Sequence, residues 1–370
     1  MGRRLVIVGM SGGVDSAVAA HALKAEGYHV AGLSLLMFEA RGRACPGSCC
    51  SRESMADAAE SARLTGVPHR VEDVRDRFVS LVIEPFARAY ARGETPNPCI
   101  LCNEHVKFPA LMEEADARGA EFIATGHYAR VERVAGGRAS LLSGIDPVKD
   151  QAYVLYSIGT ATLDRLLLPL GAQAKDATRE TARRLALPVF NRPESQEICF
   201  VGDGQYAEAV LALHPEAARP GPVLDASGAR VGKHKGLIHY TVGQRRGLGI
   251  ATGEPAYVTR MDTRANTLHI GPREAVTHRS VSVRDVRWLA PERTEPFHAT
   301  AMLRSTMRPA PCMVTPTAGG CMEIAFEEPQ FGPAPGQAAV VFERERVICG
   351  GVIGLRTDAV SGPPYSGRMK

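Results

Sequence analysis

The stretch that decides the fold is VIVGMSGGVDS, residues 6–16 of a chain of 370. A short apolar β-type run leads into a glycine-rich turn, and a helical pattern begins at Val14. Glycines let backbone N–H groups converge on an anion, and the dipole of the following helix strengthens the attraction. The turn lacks the Gly-Lys-Ser/Thr ending of a Walker A loop and the G-x-G-x-x-G of a dinucleotide fingerprint. The stretch therefore predicts a phosphate-binding turn of another kind.

Polar side chains in the same turn support this interpretation. The hydroxyls of Ser11 and Ser16 can donate hydrogen bonds to a phosphate, and Asp15 can organise the loop or hold Mg²⁺. Any parallel sheet also needs a tight glycine turn after its first strand, so the glycines alone leave a purely structural role open. The two serines and the aspartate favour phosphate binding.

Outward from this turn, the first half of the chain alternates short β-type runs with helical patterns. Such alternation predicts an α/β fold with a doubly wound, Rossmann-like parallel sheet, whose ligands bind beyond the carboxyl ends of the strands. The strands are predicted at residues 5–8, 29–36, 69–74 and 121–125. The helices are predicted at residues 14–26, 53–64, 77–91 and 104–118.

The pattern changes near residue 205. A helix is predicted at 206–213, and the Pro-Gly-Pro of residues 220–222 then interrupts the chain. Alternating runs at 281–286, 298–303, 322–326 and 338–342 predict a small all-β sandwich or barrel. We therefore divide the chain into an α/β catalytic domain (1–205), a small mixed central domain (206–278), a C-terminal β-barrel (279–357) and a tail (358–370).

Composition is that of an ordinary globular protein, with 45% hydrophobic and 23% charged residues. No stretch has the roughly 18 consecutive apolar residues of a membrane span, and the first apolar run is too short for a signal peptide. Nine cysteines, an odd number, argue against a disulfide framework. We expect a protein of the reducing cytoplasm with no membrane partner, in which clustered cysteines are catalytic or metal-binding.

The net charge of +4 conceals one basic region. Residues 1–205 carry 24 Lys/Arg against 25 Asp/Glu, whereas residues 219–308 carry 15 against 7. A solvated basic face is the ordinary explanation, but its confinement to one region favours a polyanionic partner, and the excess of Arg over Lys suits nucleic acid. The block includes Lys233, Lys235, Arg245, Arg246, Arg260, Arg264, Arg273, Arg279, Arg284, Arg287 and Arg304.

Two cysteines form a C-x-x-C in TPNPCILCN, residues 95–103. We predict a loop stiffened by two prolines just ahead of a helix, where a thiolate is stabilised and can act as a nucleophile or metal ligand. A further thiol, Cys199, lies in SQEICF, residues 195–200. Taken alone, Cys199 is most simply a buried core residue.

These segments together resemble the bacterial tRNA-specific 2-thiouridylases, members of the PP-loop ATP pyrophosphatases. The matches follow the family order from residue 6 to about residue 355. They comprise SGGVDS (11–16), TPNP-x-x-x-CN (95–103), ATGHY (124–128), KDQAY (149–153), SQEICF (195–200), a G-x-H-x-GL…GQR-x-GLGI stretch (232–250) and PGQ (335–337).

The resemblance implies a two-step chemistry. ATP adenylates the C2 oxygen of the wobble uridine in a tRNA, and persulfide sulfur then displaces AMP, giving 2-thiouridine, AMP and pyrophosphate. Cys199 would carry the persulfide, received from a sulfur carrier protein or cysteine desulfurase. Cys102 would be the nucleophile that forms a transient disulfide with Cys199. The implied partners are tRNAs for Lys, Glu and Gln, and the protein is expected to be a monomer.

The resemblance also assigns binding residues. It implies ATP contacts, with Mg²⁺, at Gly9, Met10, Ser11, Gly12, Gly13, Val14, Asp15, Ser16, Leu35 and Gly126. Leu35 replaces the methionine expected there, a change that a backbone contact tolerates. The target base would lie against Asn97, Pro98 and Cys99. Contacts to tRNA are implied at His127, Lys149, Asp150, Gln151, Arg304, Ser305 and Gln337, of which Ser305 replaces an aromatic residue of some relatives.

Cys99 leaves the sulfur step open, because relatives carry either Asp or Cys at this position. Cys99, Cys102 and Cys199 could together hold a [4Fe-4S] cluster with one open iron, and the same spacing also suits zinc or redox exchange. Cys45, Cys49 and Cys50 lie in a polar loop. They have either a redox or metal-binding role at the surface or no chemical role. The last three cysteines, Cys312, Cys321 and Cys349, are predicted to be core residues.

Two other functions are weighed against thiolation. One is a small-molecule PP-loop enzyme such as an argininosuccinate or GMP synthetase, and the other is an RNA-binding or redox module that keeps only the nucleotide fold. Neither synthetase needs two separated reactive cysteines or a basic β-rich region. Replacing Asp15 or Ser16 separates the pure binder from the enzyme, because only the enzyme would lose a reaction.

Overall fold

The first sheet is built around the strand that precedes the glycine turn. Val6, Ile7 and Val8 are at most 1% exposed, as expected for a central parallel strand covered on both faces. The structure is a computed structural model that describes residues 4–38, 52–133, 137–191, 211, 215–250 and 253–354.

The strands of this first domain are β1 (Leu5–Gly9), β2 (His29–Leu36), β3 (His69–Asp73), β4 (Phe122–Ala124), β5 (Ala129–Glu132), β6 (Ser140–Ser143) and β7 (Leu166–Leu167). Five of them form a parallel sheet in the order β3-β2-β1-β4-β7. The sheet grows to opposite sides of β1, through β2 and through β4. The carboxyl end of β1 is therefore a topological switch point, where ligands of such sheets bind.

The helices are α1 (Val14–Ala25), α2 (Arg52–Thr65), α3 (Arg75–Phe78), α4 (Glu84–Ala91), α5 (Pro98–Cys102), α6 (Phe108–Arg118), α7 (Thr160–Arg165) and α8 (Lys175–Arg184). π-Helical segments at Val79–Ile83 and Asn103–Lys107 join α3 to α4 and α5 to α6. The predicted α/β elements are confirmed, and most of their ends are correct to within two residues.

One predicted boundary is wrong at the thiol segment. The helix expected to start at 104 begins at Pro98, so both cysteines of the C-x-x-C lie within a helix rather than in a loop ahead of one. Proline suits the first helical position, where no N–H is required, and the Asn97 side chain accepts a hydrogen bond from the Cys99 N–H at 3.0 Å.

Beyond residue 215 the chain is β-rich. A four-stranded sheet in the order β10-β11-β8-β9 contains β8 (Gly221–Leu224), β9 (Arg230–His234), β10 (Tyr257–Asp262) and β11 (Thr267–Gly271). A mixed sheet of this kind agrees with the predicted small central domain, since β11 pairs parallel to β8 and antiparallel to β10. The predicted helix at 206–213 falls on residues of which only 211 is described.

The last strands form a closed antiparallel barrel, as predicted. Its strands are β12 (Thr277–Trp288), β13 (Phe297–Met302), β14 (Ala310–Thr317), β15 (Cys321–Phe331), β16 (Ala338–Glu343) and β17 (Arg346–Ile353). Pairing of β12 with β17 closes the barrel. The hairpin β5–β6 of the first domain joins it through the pairing of Leu142 with Arg346. None of the described helices is both long and apolar enough to span a membrane.

Candidate active site

The glycine turn is closed by its own serines. The Ser16 hydroxyl accepts a hydrogen bond from the Ser11 N–H at 3.1 Å and lies 3.0 Å from the Gly13 carbonyl, to which it donates. Beneath the turn, the Ser34 hydroxyl on β2 donates to the Met10 carbonyl at 2.5 Å. The hydrogen of Ser16 is thus used to shape the loop rather than to meet a ligand, while the Ser11 side chain is exposed.

Two glycines allow neighbouring backbone to approach this turn. A Cβ on Gly12 would lie 2.1 Å from the Ser54 carbonyl oxygen, and its φ of +73° also favours glycine. A Cβ on Gly126 would lie 2.7 Å from the carbonyl carbon of Asp15. The ATGHY segment is therefore in contact with the first turn of α1, which begins at Val14 beside the phosphate loop.

Asp15 is the centre of a polar network that joins α1 to α8. The Lys175 ammonium lies 2.7 and 2.8 Å from its two carboxylate oxygens, and the Lys175 side chain is only 7% exposed. The Tyr128 hydroxyl lies 2.8 Å from both the Asp15 carboxylate and the Thr178 hydroxyl. A buried cation therefore stands beside the turn predicted to bind phosphate.

The segment predicted to contact tRNA at 149–151 is tied to the same network. Gln151 accepts the Tyr128 N–H through its side chain at 2.9 Å and donates its own N–H to the Tyr128 carbonyl at 2.8 Å. The Asp150 carboxylate accepts two backbone N–H groups of its own loop. Lys149 is half-buried, and its N–H donates to the Asp146 carbonyl. Asp150 and Gln151 thus shape the loop, and Gln151 also positions Tyr128.

The thiol segment approaches the sheet beside this site. Cys99 is exposed, while Cys102 is 6% exposed and its sulfur lies 3.6 Å from the Met37 sulfur, just beyond β2. Leu35, predicted to contact ATP, is buried on β2 in the same core cluster as Met37 and Cys102. Asn97, at the cap of α5, is half-buried. The structure therefore brings Cys102 and the end of β2, the strand adjacent to β1, into contact.

His127, in the ATGHY segment, packs against the start of α6. It follows Gly126, its Nδ1 is 2.7 Å from the Thr125 hydroxyl, and its ring stacks on Phe108 with centroids 6.0 Å apart. Burial lowers the pKa of His127 well below its usual range, and the nearby Lys107 ammonium lowers it further. His127 is therefore uncharged at neutral pH, so any contact with tRNA would be a hydrogen bond or a stacking contact rather than an ion pair.

These environments predict how stability depends on pH. Besides His127, burial lowers the pKa of four further histidines, His69, His234, His239 and His269. The unfolded chain takes up protons below an ordinary pKa of about 6.5, before the folded state does, so the free energy of unfolding should fall as the pH drops from about 7.5 to 5.5. Urea denaturation at each pH measures this slope. His127→Gln should reduce it, and an unchanged slope in that variant would contradict the assignment.

The barrel holds the remaining predicted tRNA contacts. Arg304 and Ser305 are exposed between β13 and β14, and Arg304 lies beside Gly332. Gln337 is half-buried, and its side-chain N–H donates to the Thr95 carbonyl at 2.8 Å. The structure therefore brings Gln337 to the thiol segment.

The basic block is only partly available to a partner. Arg284 pairs with Glu94 at 3.0 Å and Arg287 with Glu104 at 3.2 Å, so both join the barrel to the first domain. Carboxylates of another domain therefore partly neutralise two arginines of the predicted basic block, although their side chains are still 42% and 62% exposed. The exposed cations of the block include Lys233, Lys235, Arg245, Arg246 and Arg264.

The other cysteines divide by burial. Cys312 and Cys349 are core residues as predicted, and burial raises the pKa of each thiol to about 12. Cys321 is half-exposed at the start of β15, so its assignment to the core is wrong. Cys199 and the Cys45, Cys49 and Cys50 trio lie outside the described residues. Among the residues that are described, no group of three or more His, Cys, Asp or Glu side chains could hold a metal ion.

Sequence reasoning missed Lys175 as a site residue. It lies 160 residues from Asp15 in the chain and opens a polar helical pattern, a place where lysine is common on any surface helix. Tyr128 was within reach of prediction, because it belongs to the quoted ATGHY motif, but its hydroxyl contact with Asp15 depends on the fold.

Comparison with known proteins places the chain in a family. Its residues 4–203 match the tRNA methyl transferase HUP domain, residues 208–272 the tRNA methyl transferase PRC-barrel domain and residues 278–353 the aminomethyltransferase β-barrel domain. It is 43% identical to the tRNA-specific 2-thiouridylase MnmA of Methylorubrum populi, over 94% of this chain and 93% of that protein. The chain belongs to the tRNA-specific 2-thiouridylase family.

Other 2-thiouridylases match this chain at a similar identity and over a similar length. The MnmA proteins of Rhodospirillum centenum and Chloroflexus aggregans are 44% and 43% identical, over 96% and 94% of this chain and 92% and 98% of those proteins. Among solved structures, a 4-thiouridine synthetase–RNA complex with bound ATP has a TM-score of 0.36 and 14% identity, over 58% of this chain and 51% of that one. That likeness is too distant to bear on function. Membership of the 2-thiouridylase family rests on matches that run almost from end to end.

Proposed function

We propose that this protein is an ATP-dependent tRNA 2-thiouridylase, which activates the C2 oxygen of a wobble uridine and replaces it with sulfur. The observation that carries the proposal is the placement of two chemical groups at neighbouring strand ends of one sheet. The phosphate loop follows β1, and the Cys102 sulfur lies 3.6 Å from Met37, just beyond the adjacent β2. Adenylation and sulfur delivery require these two groups on either side of one base.

In the first step, the uridine C2 oxygen attacks the α-phosphorus of ATP and pyrophosphate leaves. The proposed ATP contacts are the loop from Gly9 to Ser16, together with Leu35 and Gly126. The exposed end of the loop offers backbone N–H groups and the N-terminus of α1 to the phosphates. The Asp15 carboxylate has the oxygen donors that Mg²⁺ prefers, and a bound Mg²⁺ would neutralise phosphate charge. The buried Lys175 supplies a further positive charge beside the loop.

In the second step, sulfur replaces the activated oxygen. Cys199 carries the persulfide, the Cys102 thiolate attacks its inner sulfur, and the hydrosulfide released adds to C2 and expels AMP. A Cys102–Cys199 disulfide remains and must be reduced by an external dithiol. The exposed Cys99 and the neighbouring Asn97 and Pro98 would hold the base.

The family resemblance supplies the substrates, the sulfur donor and the oligomeric state of the proposed enzyme. The substrates are tRNAs for Lys, Glu and Gln, the sulfur comes from a carrier protein or cysteine desulfurase, and the protein acts as a cytoplasmic monomer. The proposed domain limits are 1–205, 206–278 and 279–357, with a tail at 358–370. The three matched family domains, at 4–203, 208–272 and 278–353, support the three domains. Contacts to tRNA are proposed at His127, Lys149, Asp150, Gln151, Arg304, Ser305 and Gln337.

Binding to tRNA should depend steeply on salt. Exposed cations such as Lys233, Lys235, Arg245, Arg246 and Arg264 would displace counterions from RNA phosphates on binding. Raising the salt from about 50 to 200 mM should weaken the affinity by at least tenfold, measured by filter binding or fluorescence anisotropy. A flat dependence over this range would contradict recognition of tRNA by the basic block.

The direct test of the function is nucleoside analysis. Purified protein is incubated with unmodified tRNA, Mg²⁺-ATP and a cysteine desulfurase with cysteine, and the digested tRNA is examined by mass spectrometry. We expect 2-thiouridine to form at the wobble position, with AMP and pyrophosphate released in equal amounts. If no sulfur is incorporated while a small amino acid or nucleotide is consumed with ATP, the synthetase function would replace this proposal.

A [4Fe-4S] cluster remains the alternative for the sulfur step. It would require Cys99, Cys102 and Cys199, of which the structure describes the first two, three residues apart on α5. Anaerobic reconstitution with iron and sulfide separates the two routes. Iron binding, a charge-transfer absorption and dependence of thiolation on both would favour the cluster. Full activity without iron would favour the persulfide route.

A further inference from the structure

We propose that the barrel turn at residues 335–337 clamps the thiol segment, and that Gln337 is a positioning residue for α5 in addition to any contact it makes with tRNA. The inference deepens the proposed function and rests on it, because α5 carries Cys99 and Cys102. The barrel would then be part of the scaffold of the reactive thiols, although it follows them by more than 170 residues.

The clamp holds the backbone of Thr95 at both polar atoms. The Thr95 N–H donates to the Pro335 carbonyl at 2.7 Å, and the Gln337 side chain donates to the Thr95 carbonyl at 2.8 Å. Thr95 thus bonds to the barrel through both of its backbone polar groups, once to backbone and once to the Gln337 side chain. The Thr95 hydroxyl is buried and has no hydrogen-bond partner among the described residues. The backbone contacts to the barrel, rather than this side chain, therefore fix the position of Thr95.

The turn can approach so closely because its middle residue is glycine. A Cβ on Gly336 would lie 2.8 Å from both the Glu94 Cβ and the Thr95 nitrogen, and its φ of +88° also favours glycine. The turn is itself fixed to the end of β17. The Gly336 N–H donates to the Ile353 carbonyl at 2.9 Å, and the Ile353 N–H donates to the Gln337 carbonyl at 2.8 Å. It is therefore a supported element rather than a mobile loop.

A second arm of the clamp is electrostatic. The Glu94 carboxylate, in a residue that is only 6% exposed, lies 3.0 Å from Arg284 on β12 and 2.8 Å from Arg92. A carboxylate at this depth needs paired cations to offset its lost hydration. Separating the barrel from the segment would remove one of them, so Glu94 holds the two domains together at the same point as Gln337.

The path from the clamp to the thiols is short and stiff. Two residues after Thr95, Asn97 caps α5 by accepting the Cys99 N–H at 3.0 Å. Pro96 and Pro98 flank Asn97, and the fixed φ of each proline restricts how this segment can bend. A displacement of Thr95 would therefore move the cap and the first turn of α5, and with them the packing of Cys102 against Met37.

The test uses the full chain without tRNA or ATP, so that a contact with tRNA cannot contribute. The rate of Cys102 alkylation by iodoacetamide is followed by peptide mass spectrometry in the wild type and in Gln337→Met, which keeps the length of the side chain and removes its donor. Loosening of α5 should expose Cys102 and raise its alkylation rate at least fivefold. In a second assay, with tRNA and ATP, the kcat for thiolation by Gln337→Met should fall by at least as large a factor as its affinity for tRNA.

The matched control is Gln330→Met, which removes a half-buried barrel glutamine whose side chain donates to the Glu328 carbonyl of the same strand. It should leave Cys102 alkylation unchanged. If Gln337→Met does not fold, as judged by circular dichroism, Arg284→Met tests the other arm and should also raise the alkylation rate.

A wild-type rate of Cys102 alkylation in Gln337→Met would overturn the inference. If this variant also binds tRNA more weakly, Gln337 is a tRNA contact alone. The alkylation assay does not require thiolation. Its result therefore stands apart from the test of the proposed function.

Discussion

Lys175→Met is expected to lower the rate of tRNA-dependent pyrophosphate release by at least about a hundredfold, because it removes a preorganised cation beside the phosphate loop. The ammonium lies 2.7 Å from the Asp15 carboxylate, and the Lys175 side chain is 7% exposed. Phosphate oxygens entering the turn would meet this charge with little solvent between them. The Asp15 side chain is 33% exposed, so its carboxylate could bind Mg²⁺ while it pairs with Lys175.

Stability and activity can be separated in this variant. Removing one partner of a buried pair costs about 3 kcal/mol or more, but Asp15 is partly solvated and keeps the Tyr128 hydroxyl, so we expect a loss of about 2 kcal/mol in the free energy of unfolding. Thermal unfolding measures this cost. Lys175→Arg, which keeps the charge, should retain more of the pyrophosphate release than Lys175→Met does.

The control is Lys24→Met, at the other end of the helix that begins with the loop. Lys24 donates to the backbone carbonyls of Thr65 and Gly66, so its loss removes a lysine contact without touching the phosphate loop. Pyrophosphate release should stay within about threefold of wild type. If Lys175→Met behaves like this control, Lys175 is a structural counterion to Asp15 and has no part in adenylation.

The phosphate loop could be predicted from sequence because its signal is local. A buried run, a glycine turn and a helix start are adjacent in the chain, and each follows from the conformational preferences of single residues. Lys175 could not be predicted in this way, since no local pattern marks a lysine that will face a carboxylate 160 residues away. The same holds for Gln337, whose partner Thr95 is 242 residues distant.

The start of α5 was predictable and was missed. Asn97 followed by Pro98 is a favourable cap and first helical residue, but two prolines so close together also suit a stiff loop. The side-chain capping of Asn97 decides between them. Charge counting is incomplete for a different reason. It registers Arg284 and Arg287 as part of a basic block but cannot register the carboxylates of Glu94 and Glu104 that the fold brings to them.

Cys102→Ser and Cys199→Ser are each expected to lower 2-thiouridine formation by about a thousandfold or more, because each removes a sulfur atom that the transfer step requires.

The first step should survive in both variants, since neither sulfur touches ATP in the proposed reaction. Cys102 packs against Met37 just beyond β2, and its replacement leaves Asp15 and Lys175 in place. We therefore expect pyrophosphate release within about tenfold of wild type, with AMP-activated tRNA accumulating or hydrolysing. This outcome differs from that for Lys175→Met, in which pyrophosphate release and 2-thiouridine formation should fall together.

Cys321→Ser is the matched control, because Cys321 is half-exposed at the start of β15 and its thiol donates to the Gly319 carbonyl of the adjoining turn. It should thiolate tRNA at the wild-type rate. The measurements are 2-thiouridine by nucleoside mass spectrometry and pyrophosphate release on the same samples. Wild-type levels of 2-thiouridine in either Cys102→Ser or Cys199→Ser would refute the persulfide relay. Loss of pyrophosphate release in Cys102→Ser would mean that the thiol also supports adenylation, since Met37, which contacts Cys102, follows the strand adjacent to β1.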